Sequence, residues 1–391
     1  MINRRLFLGG ASIAAATPLL GTVGCAGQTQ TASTVNNAAN AGALPVSVTN
    51  NSGRYGDDEV LLYIVGTDLT TDQHCWVDSN GTPHPVSVDD NTDDGYTDYS
   101  IPLGALPADM TLPYMSGRIY LATGGKLGIR IVEDGNGNPA LQLPAGWVEE
   151  DDSFDILHDT VEFTHNEDGM FCNTSMVDQF SVPLGIRLTG DDDQSTGFLL
   201  PGGRDAIFET LAADPVFSSL VFEDRIIAPG HGLNSGIFPT DYFDPYIDQV
   251  WSHYAGTDLS VTTNAGTFTG RVEGDELLFD GGVSPIAKPS TRDVLFCDGA
   301  LAAPNDGITG PVAAIVGAAL NRSTLLDSAE QPTNDPAQFY LNEIANHYAA
   351  VFHEHTEDGK AYGFAFDDVE DFASYVQDHG ASGLEITLTP F

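Results

Sequence analysis

Lysine is nearly missing from this chain of 391 residues: only Lys126, Lys288 and Lys360 occur, and Lys and Arg together number 14 against 56 Asp and Glu. The formal charge is −42. Such a surface repels nucleic acid and anionic lipid, which argues against either as a direct partner. Cysteine is scarce as well. Beyond Cys25, considered below, only Cys75, Cys172 and Cys297 remain. Three cysteines allow one disulfide at most, and their spacing leaves its pairing open. The absence of a CxxC pair argues against a structural zinc site. No G-x-S-x-G occurs, which disfavours a serine esterase. Gly230-His231-Gly232 lacks the G-x-G-x-x-G spacing of a phosphate cradle and reads as a loop.

What is present points to a folded chain. Hydrophobic residues make up 41% and aromatics 9%, enough for sizeable cores, so the acidity does not signal disorder. An acid-rich, lysine-poor folded protein suits very high salt, where self-repulsion is screened. Most of its acids therefore read as solvated surface. The length allows one to three domains. Residues 1–25 read as an export signal: Asn3-Arg4-Arg5-Leu6-Phe7-Leu8 is a twin-arginine start, and the apolar stretch after it is short and rich in Gly and Ala. It ends at Thr22-Val23-Gly24-Cys25, which resembles a lipobox with Thr where Leu is usual, so Cys25 is the expected lipid attachment site. The expected location is extracellular, with the lipid as the only link to the membrane's outer face. Residues 26–43 are small, polar and uncharged, a flexible tether.

From Leu44 to about Ile186 the reading is almost all strand. VSVTN, VLLYIVG, VSVDD, GRIYLAT, LGIRIVED, VEFTH and MVDQFSV alternate with turns such as NNSG, SNGT and DGNGNP. A sandwich or barrel follows over 44–189. Helices are expected near 204–213, 242–255, 309–322, 336–355 and 367–378, with strands such as GTFTGRVEGDELLF between them, giving a mixed α/β part over 190–391. The final run, GLEITLTPF, is a strand that could rejoin the β part. The class is α+β. Tyr246, Val250, Trp251 and Tyr254 read as core, and His353-Glu354-His355, lacking the H-E-x-x-H spacing, as a helix end.

Two acids stand among strand-forming residues: Glu162 in VEFTH and Asp178 after Val177. The intervening Glu167-Asp168-Gly169 suggests a hairpin, and pairing around residue 170 would set the two nearly opposite, on one face. Neighbouring carboxylates repel, so one is expected protonated and the other charged. That is the acid/base division of glycoside hydrolysis. Directly opposed positions bring Cβ atoms to about 4.5–5.5 Å, closer than the about 6.5–9.5 Å between the carboxyls of an inverting enzyme, so the side chains would have to splay or the register be diagonal.

The surrounding pattern resembles glycoside hydrolase family 64, the laminaripentaose-producing β-1,3-glucanases. The resemblance rests on Asp151…Asp155…Val161-Glu162-Phe163-Thr164…Asn173-Thr174…Val177-Asp178…Pro183-Leu184-Gly185. Further blocks follow in the family's order: Ser116-Gly117-Arg118-Ile119-Tyr120, Tyr246–Tyr254, Asp293–Cys297, Ala318–Ser323 and Tyr362–Val369. The resemblance implies a thaumatin-like β domain and a mixed α/β domain flanking an open groove for β-1,3-glucan. It implies an inverting endo-glucanase with Glu162 as general acid and Asp178 as general base, acting as a monomer without metal or organic cofactor. Position by position, Asp151, Thr164, Asn166, Asp367 and Asp368 fall where the family contacts sugar. Phe171 stands where a Trp platform is usual, Ser175 where Thr is usual, and Gln179 where an aromatic flanks the base. A cell-surface protein that binds β-glucan without cleaving it is the alternative, separable by turnover of laminarin.

Overall fold

The computed structural model describes residues 42–391. The leader, Cys25 and residues 26–41 of the tether lie outside the described residues. The chain is mostly β-sheet with helices inserted between the sheets.

Two sheets build the β part. The larger runs in the order Tyr375–Asp378, Gly169–Ser175, Leu157–Asn166, Met115–Thr123, Val60–Asp68, Gln73–Val77 and Pro83–Pro85, with Ile101–Pro102 paired to Val60–Asp68. The smaller runs Gln194–Thr196, Leu184–Thr189, Gly383–Leu388, Leu44–Asn50 and Thr111–Leu112. Alternation explains how they meet. Leu62, Ile64, Ile119, Leu121, Val161 and Phe163 point to one face of the larger sheet and pack on Leu184, Ile186, Leu384 and Ile386 of the smaller. Fully burying each such side chain contributes about 1.5–3 kcal/mol before entropy is counted. The chain's end does rejoin this part: Gly383–Leu388 lies parallel to Leu44–Asn50 and antiparallel to Leu184–Thr189.

Near the middle of the larger sheet, Gly66 and Gly117 stand opposite each other. A Cβ on either would lie 2.2 Å from a backbone oxygen of the facing strand, a close approach open only to glycine, immediately beside Arg118.

Between Thr196 and Tyr375 a second core forms. Helices Asp244–Tyr254 and Thr309–Asn321 pack on a five-stranded sheet whose central hairpin is Gly266–Glu273 with Glu276–Phe279, and Gly203–Ala213 and His347–His355 pack on each other. Tyr246, Val250, Trp251 and Tyr254 are all buried in it, one face of a helix as their spacing implied.

Several local expectations are corrected. Val88–Asp90 forms a 3₁₀ turn rather than a strand, because Ser87 and Asp90 close a capping box. Of 176–182 only Gln179–Phe180 is strand. Of 336–346 only Pro336–Gln338 is helical, as a short 3₁₀ piece; the α-helix starts at His347, where the Asn346 side chain accepts from Ala349 N. Residues 367–378 are not a helix either. Glu370 and Asp371 take φ of 63° and 62°, and the next residues pair with Gly169–Ser175 as an edge strand. Short helices occur at Pro229–Asn234 and Thr291–Phe296, neither of them expected. Cys75, Cys172 and Cys297 are all free and buried, so the single disulfide that the count allowed is not formed among them.

Candidate active site

Glu162 sits on the face of Leu157–Asn166 opposite the core. Val161 and Phe163 point inward, and Thr160, Glu162 and Thr164 point the other way. Its register partners are Arg118 on one side and Asn173 on the other, and Asn173 is in turn paired with Tyr375. Partners in register share a face, so Arg118, Glu162, Asn173 and Tyr375 form one row across the sheet.

This register differs from the expected one. The turn is the two residues Glu167-Asp168: Asn166 pairs with Gly169, and the Asn166 side chain accepts from Asp168 N at 2.9 Å. Gly169 has φ 124°, and a Cβ there would lie 2.2 Å from Asp378 O. The turn therefore sets Asn173, not Asp178, opposite Glu162. Asp178 lies beyond the strand's end at Ser175, so the two acids do not meet as opposed residues of a hairpin.

They meet by another route. After Ser175 the chain leaves the sheet and is held by the second core: Met176 N donates to Tyr362 O at 3.0 Å, and Tyr348 OH donates to Met176 O at 2.6 Å. Gln179–Phe180 then pairs with Ile226–Ile227, and Ala228 N donates to Asp178 O at 3.0 Å. The helix that starts at Pro229 brings His231 to Asp178, with Nε2 and Oδ1 2.7 Å apart. The ring of His231 stacks on Trp147 at 4.3 Å between centroids and meets Phe296 edge-on.

The two carboxyls are driven in opposite directions. Burial raises Glu162, which is 2% exposed, and the charge of Asp178 raises it further, more than Arg118 and Asn173 lower it. Arg118 holds Oε1 alone, from Nε at 3.0 Å and from the terminal nitrogen at 2.8 Å. Burial also pushes Asp178 up, but its hydrogen bond to His231 and the charges of His231, Arg118 and His158 outweigh that and hold it below the usual carboxylate range. One acid thus favours its protonated form and the other its charged form. Beside Asp178 a cleft of about 20 Å³, bordered by Tyr120, Trp147 and Ser175, has room for one water.

The remaining expected residues are spread more widely. Ser175 borders the cleft. Asp151 braces the loop bearing Trp147, accepting from Ser153 N at 2.8 Å and Ala145 N at 3.3 Å. That loop is clamped to the second core by Arg225, which donates to Gly146 O, Phe154 O and Ile156 O. Thr164 shares Glu162's face and donates to Ser116 Oγ at 3.0 Å. Asn166 lies at the far turn and borders a separate cavity with Tyr114 and His379. Phe171, opposite Thr164, is 6% exposed, so little of its ring is offered to a sugar. Asp367 is fully buried, bonded to Arg322 at 3.1 Å, to His353 at 3.1 Å and to Gly363 N at 3.0 Å. With no surface and both oxygens engaged, it cannot touch a sugar as the chain stands, which corrects its expected role. Its neighbour Asp368 borders two cavities, of about 560 and 270 Å³, the smaller also lined by Tyr375 and Gln377. His353 closes the helix His347–His355 against Asp367. Among the described residues no group of three His, Cys, Asp or Glu is arranged to hold a metal.

A family model described as β-1,3-glucanase, glycoside hydrolase family 64, matches residues 42–388. The chain belongs to glycoside hydrolase family 64. Glucan endo-1,3-β-glucosidases of Arthrobacter sp. (strain YCWD3) and Cellulosimicrobium cellulans are each 34% identical to it over 385 residues. The match takes in 89% of this chain and 65% of each relative's length. Among solved family 64 structures, a laminaripentaose-producing β-1,3-glucanase in complex with laminaritetraose is 35% identical, with a TM-score of 0.81 over 90% of this chain and 99% of that one. A β-1,3-glucanase domain from Clostridium beijerinckii is 31% identical, with a TM-score of 0.81 over 90% and 98%. In the sequence the resemblance to the family rests on the stretch around Glu162 and Asp178 together with the further blocks in order. His231 and Trp147 were not foreseen as parts of the site, and Arg118 was noted only within a matching block. In a chain with 14 cations, an arginine at an alternate position of an apolar strand was the signal for the last.

Proposed function

We propose that this family 64 chain is an endo-β-1,3-glucanase that hydrolyses laminarin-like β-1,3-glucan to short oligosaccharides by an inverting acid/base mechanism. The observation that carries the reading is the opposed electrostatics of the two carboxyls, Glu162 raised and Asp178 lowered, within reach of each other's charge. Glu162 protonates the departing glycosidic oxygen. Asp178, acceptor-only when charged and aligned by His231, takes a proton from a water in the small cleft, and that water attacks the anomeric carbon from the opposite side. No metal or organic cofactor takes part in these steps.

The family's thaumatin-like β domain corresponds to the paired sheets, and the mixed α/β domain to the second core. The glucan groove then runs across the Glu162 row, with Asp368 as the far contact. Arg4-Arg5 and Cys25 support export by the twin-arginine route and a lipid tether, and the charge of −42 supports function in high salt. The protein acts as a monomer. Incubation with laminarin, followed by proton NMR of the first anomer released, tests the mechanism: the α-anomer is expected first. Release of the β-anomer first would exclude inversion, and binding without turnover would favour a glucan-binding protein.

A further inference from the structure

Glu162 and Asn173 carry a detail that the acid/base reading does not use. Arg118 donates from Nε to Glu162 Oε1 at 3.0 Å and brings its terminal nitrogen to the same oxygen at 2.8 Å, so the guanidinium charge sits on Oε1 and not on Oε2. A proton on Oε1 would point at a guanidinium, so the proton of the acid form belongs on Oε2. Oε2 faces the side-chain amide of Asn173. As oriented in the structure, Asn173 Nδ2 points at Oε2 from 3.5 Å, long for a hydrogen bond, while Oδ1 of the same amide is buried with no partner. Asn173 is itself 4% exposed. That arrangement serves a charged Glu162. Once Oε2 carries a proton, two donors would face each other and an acceptor would stay unused.

We propose that Asn173 is a positioning residue for the general acid: with Glu162 protonated, its amide turns over so that Oδ1 accepts the Oε2–H, and after the proton passes to the leaving oxygen the amide returns to the long contact of 3.5 Å, which favours the carboxylate by less than the accepted hydrogen bond favours the acid. A carboxamide is suited to this, because a half-turn exchanges acceptor for donor without moving the strand. The other groups facing Glu162 cannot do the same. Arg118 only donates; the Tyr120 hydroxyl, which accepts from Arg118 at 3.3 Å, makes no hydrogen bond to Glu162; and Asp178 is held by His231. His158 bonds to Ile156 O, and Tyr375 lies one strand beyond Asn173. The proton is thereby kept on the oxygen that must release it.

This inference rests on Glu162 being the acid, and its test separates the two claims. The carboxylic C=O stretch that disappears in Glu162→Gln reports the protonation of Glu162 by infrared difference spectroscopy across pH. In Asn173→Ala the midpoint is expected to fall by roughly half to one pH unit, about one neutral hydrogen bond's worth. The alkaline limb of kcat/KM on laminarin should fall with it. A midpoint that rises, as loss of a mere donor to the carboxylate would cause, or one that stays put, overturns the proposal. Should Asn173→Ala fail to fold, a neutron structure of the unaltered protein below that midpoint decides: a deuteron on Oε2 directed at Oδ1 is expected, and Nδ2 still facing Oε2 refutes it. Full laminarin turnover by Glu162→Gln would instead remove the acid assignment itself.

Discussion

Replacing His231 with Phe should move the acidic limb of activity upward. The substitution keeps a ring to stack on Trp147, 4.3 Å away, but removes the donor 2.7 Å from Asp178 Oδ1. A hydrogen bond to a charged group contributes about 1.5–3 kcal/mol. At 1.36 kcal/mol per pKa unit that is about 1–2 units in the pKa of Asp178. The direction follows from the depressed pKa: Asp178 is charged above that pKa, so turnover is expected there, and both are lost as pH falls through it. Without His231 the loss begins at a higher pH. The stability contributed by the charged form follows the same course, lost as pH falls through the folded-state pKa. The assay is kcat/KM on laminarin across pH, for wild type, His231→Phe and His231→Gln. Gln can still donate, so its limb should lie nearer that of wild type. A His231→Phe limb unmoved while the plateau falls would refute the reasoning and leave His231 a shape-filling role only.

Legibility in the sequence followed the range of the forces involved. Alternation is local, so the strand holding Glu162 and its inward Val161 and Phe163 could be read directly. The helix Asp244–Tyr254 was equally plain from the spacing of its three buried aromatics and Val250. Register was not, because a turn of two residues instead of one centred near 170 depends on the contact of Gly169 with Asp378, more than 200 positions away. The error had a consequence: it made Asp178 a strand neighbour of Glu162, when it is in fact delivered by a segment tied to Tyr348, Tyr362 and Ala228. His231 was hidden for the same reason. Pro229 marks a helix start, but nothing near it in the sequence points to Asp178. Asp367 shows the converse. A residue transferred by matching to the family can be right about the place, since it anchors the turn carrying Asp368, and wrong about the contact.

Asp367→Asn should destabilise the fold by about 3–5 kcal/mol, since Arg322 would be left buried without its counter-charge, whereas Asp368→Asn should weaken glucan binding with an unchanged melting temperature; equal melting curves for Asp367→Asn and wild type would contradict this. On dialysis from about 1 M to about 0.01 M salt the Debye length grows from about 3 to about 30 Å, and the melting temperature should fall steeply; a value indifferent to salt would remove the high-salt reading. Cys25→Ser should release the protein into the medium and Lys at both Arg4 and Arg5 should retain it inside, as followed by fractionation; continued membrane retention of the Cys25 variant would exclude the lipid tether. The last prediction concerns the two carboxyls as separate agents. General acid–base assistance is worth about 10²–10⁴-fold each, so Glu162→Gln and Asp178→Asn should each lose most laminarin turnover while still folding and binding glucan. Their rescue should differ. A substrate with an activated leaving group needs no proton, so it should partly restore Glu162→Gln and not Asp178→Asn. Azide can replace the water that Asp178 activates, so it should restore Asp178→Asn and yield an α-glycosyl azide from a β-linked substrate. Identical rescue of both variants, or a β-configured azide product, would mean that the acids do not divide the work between opposite faces of the sugar.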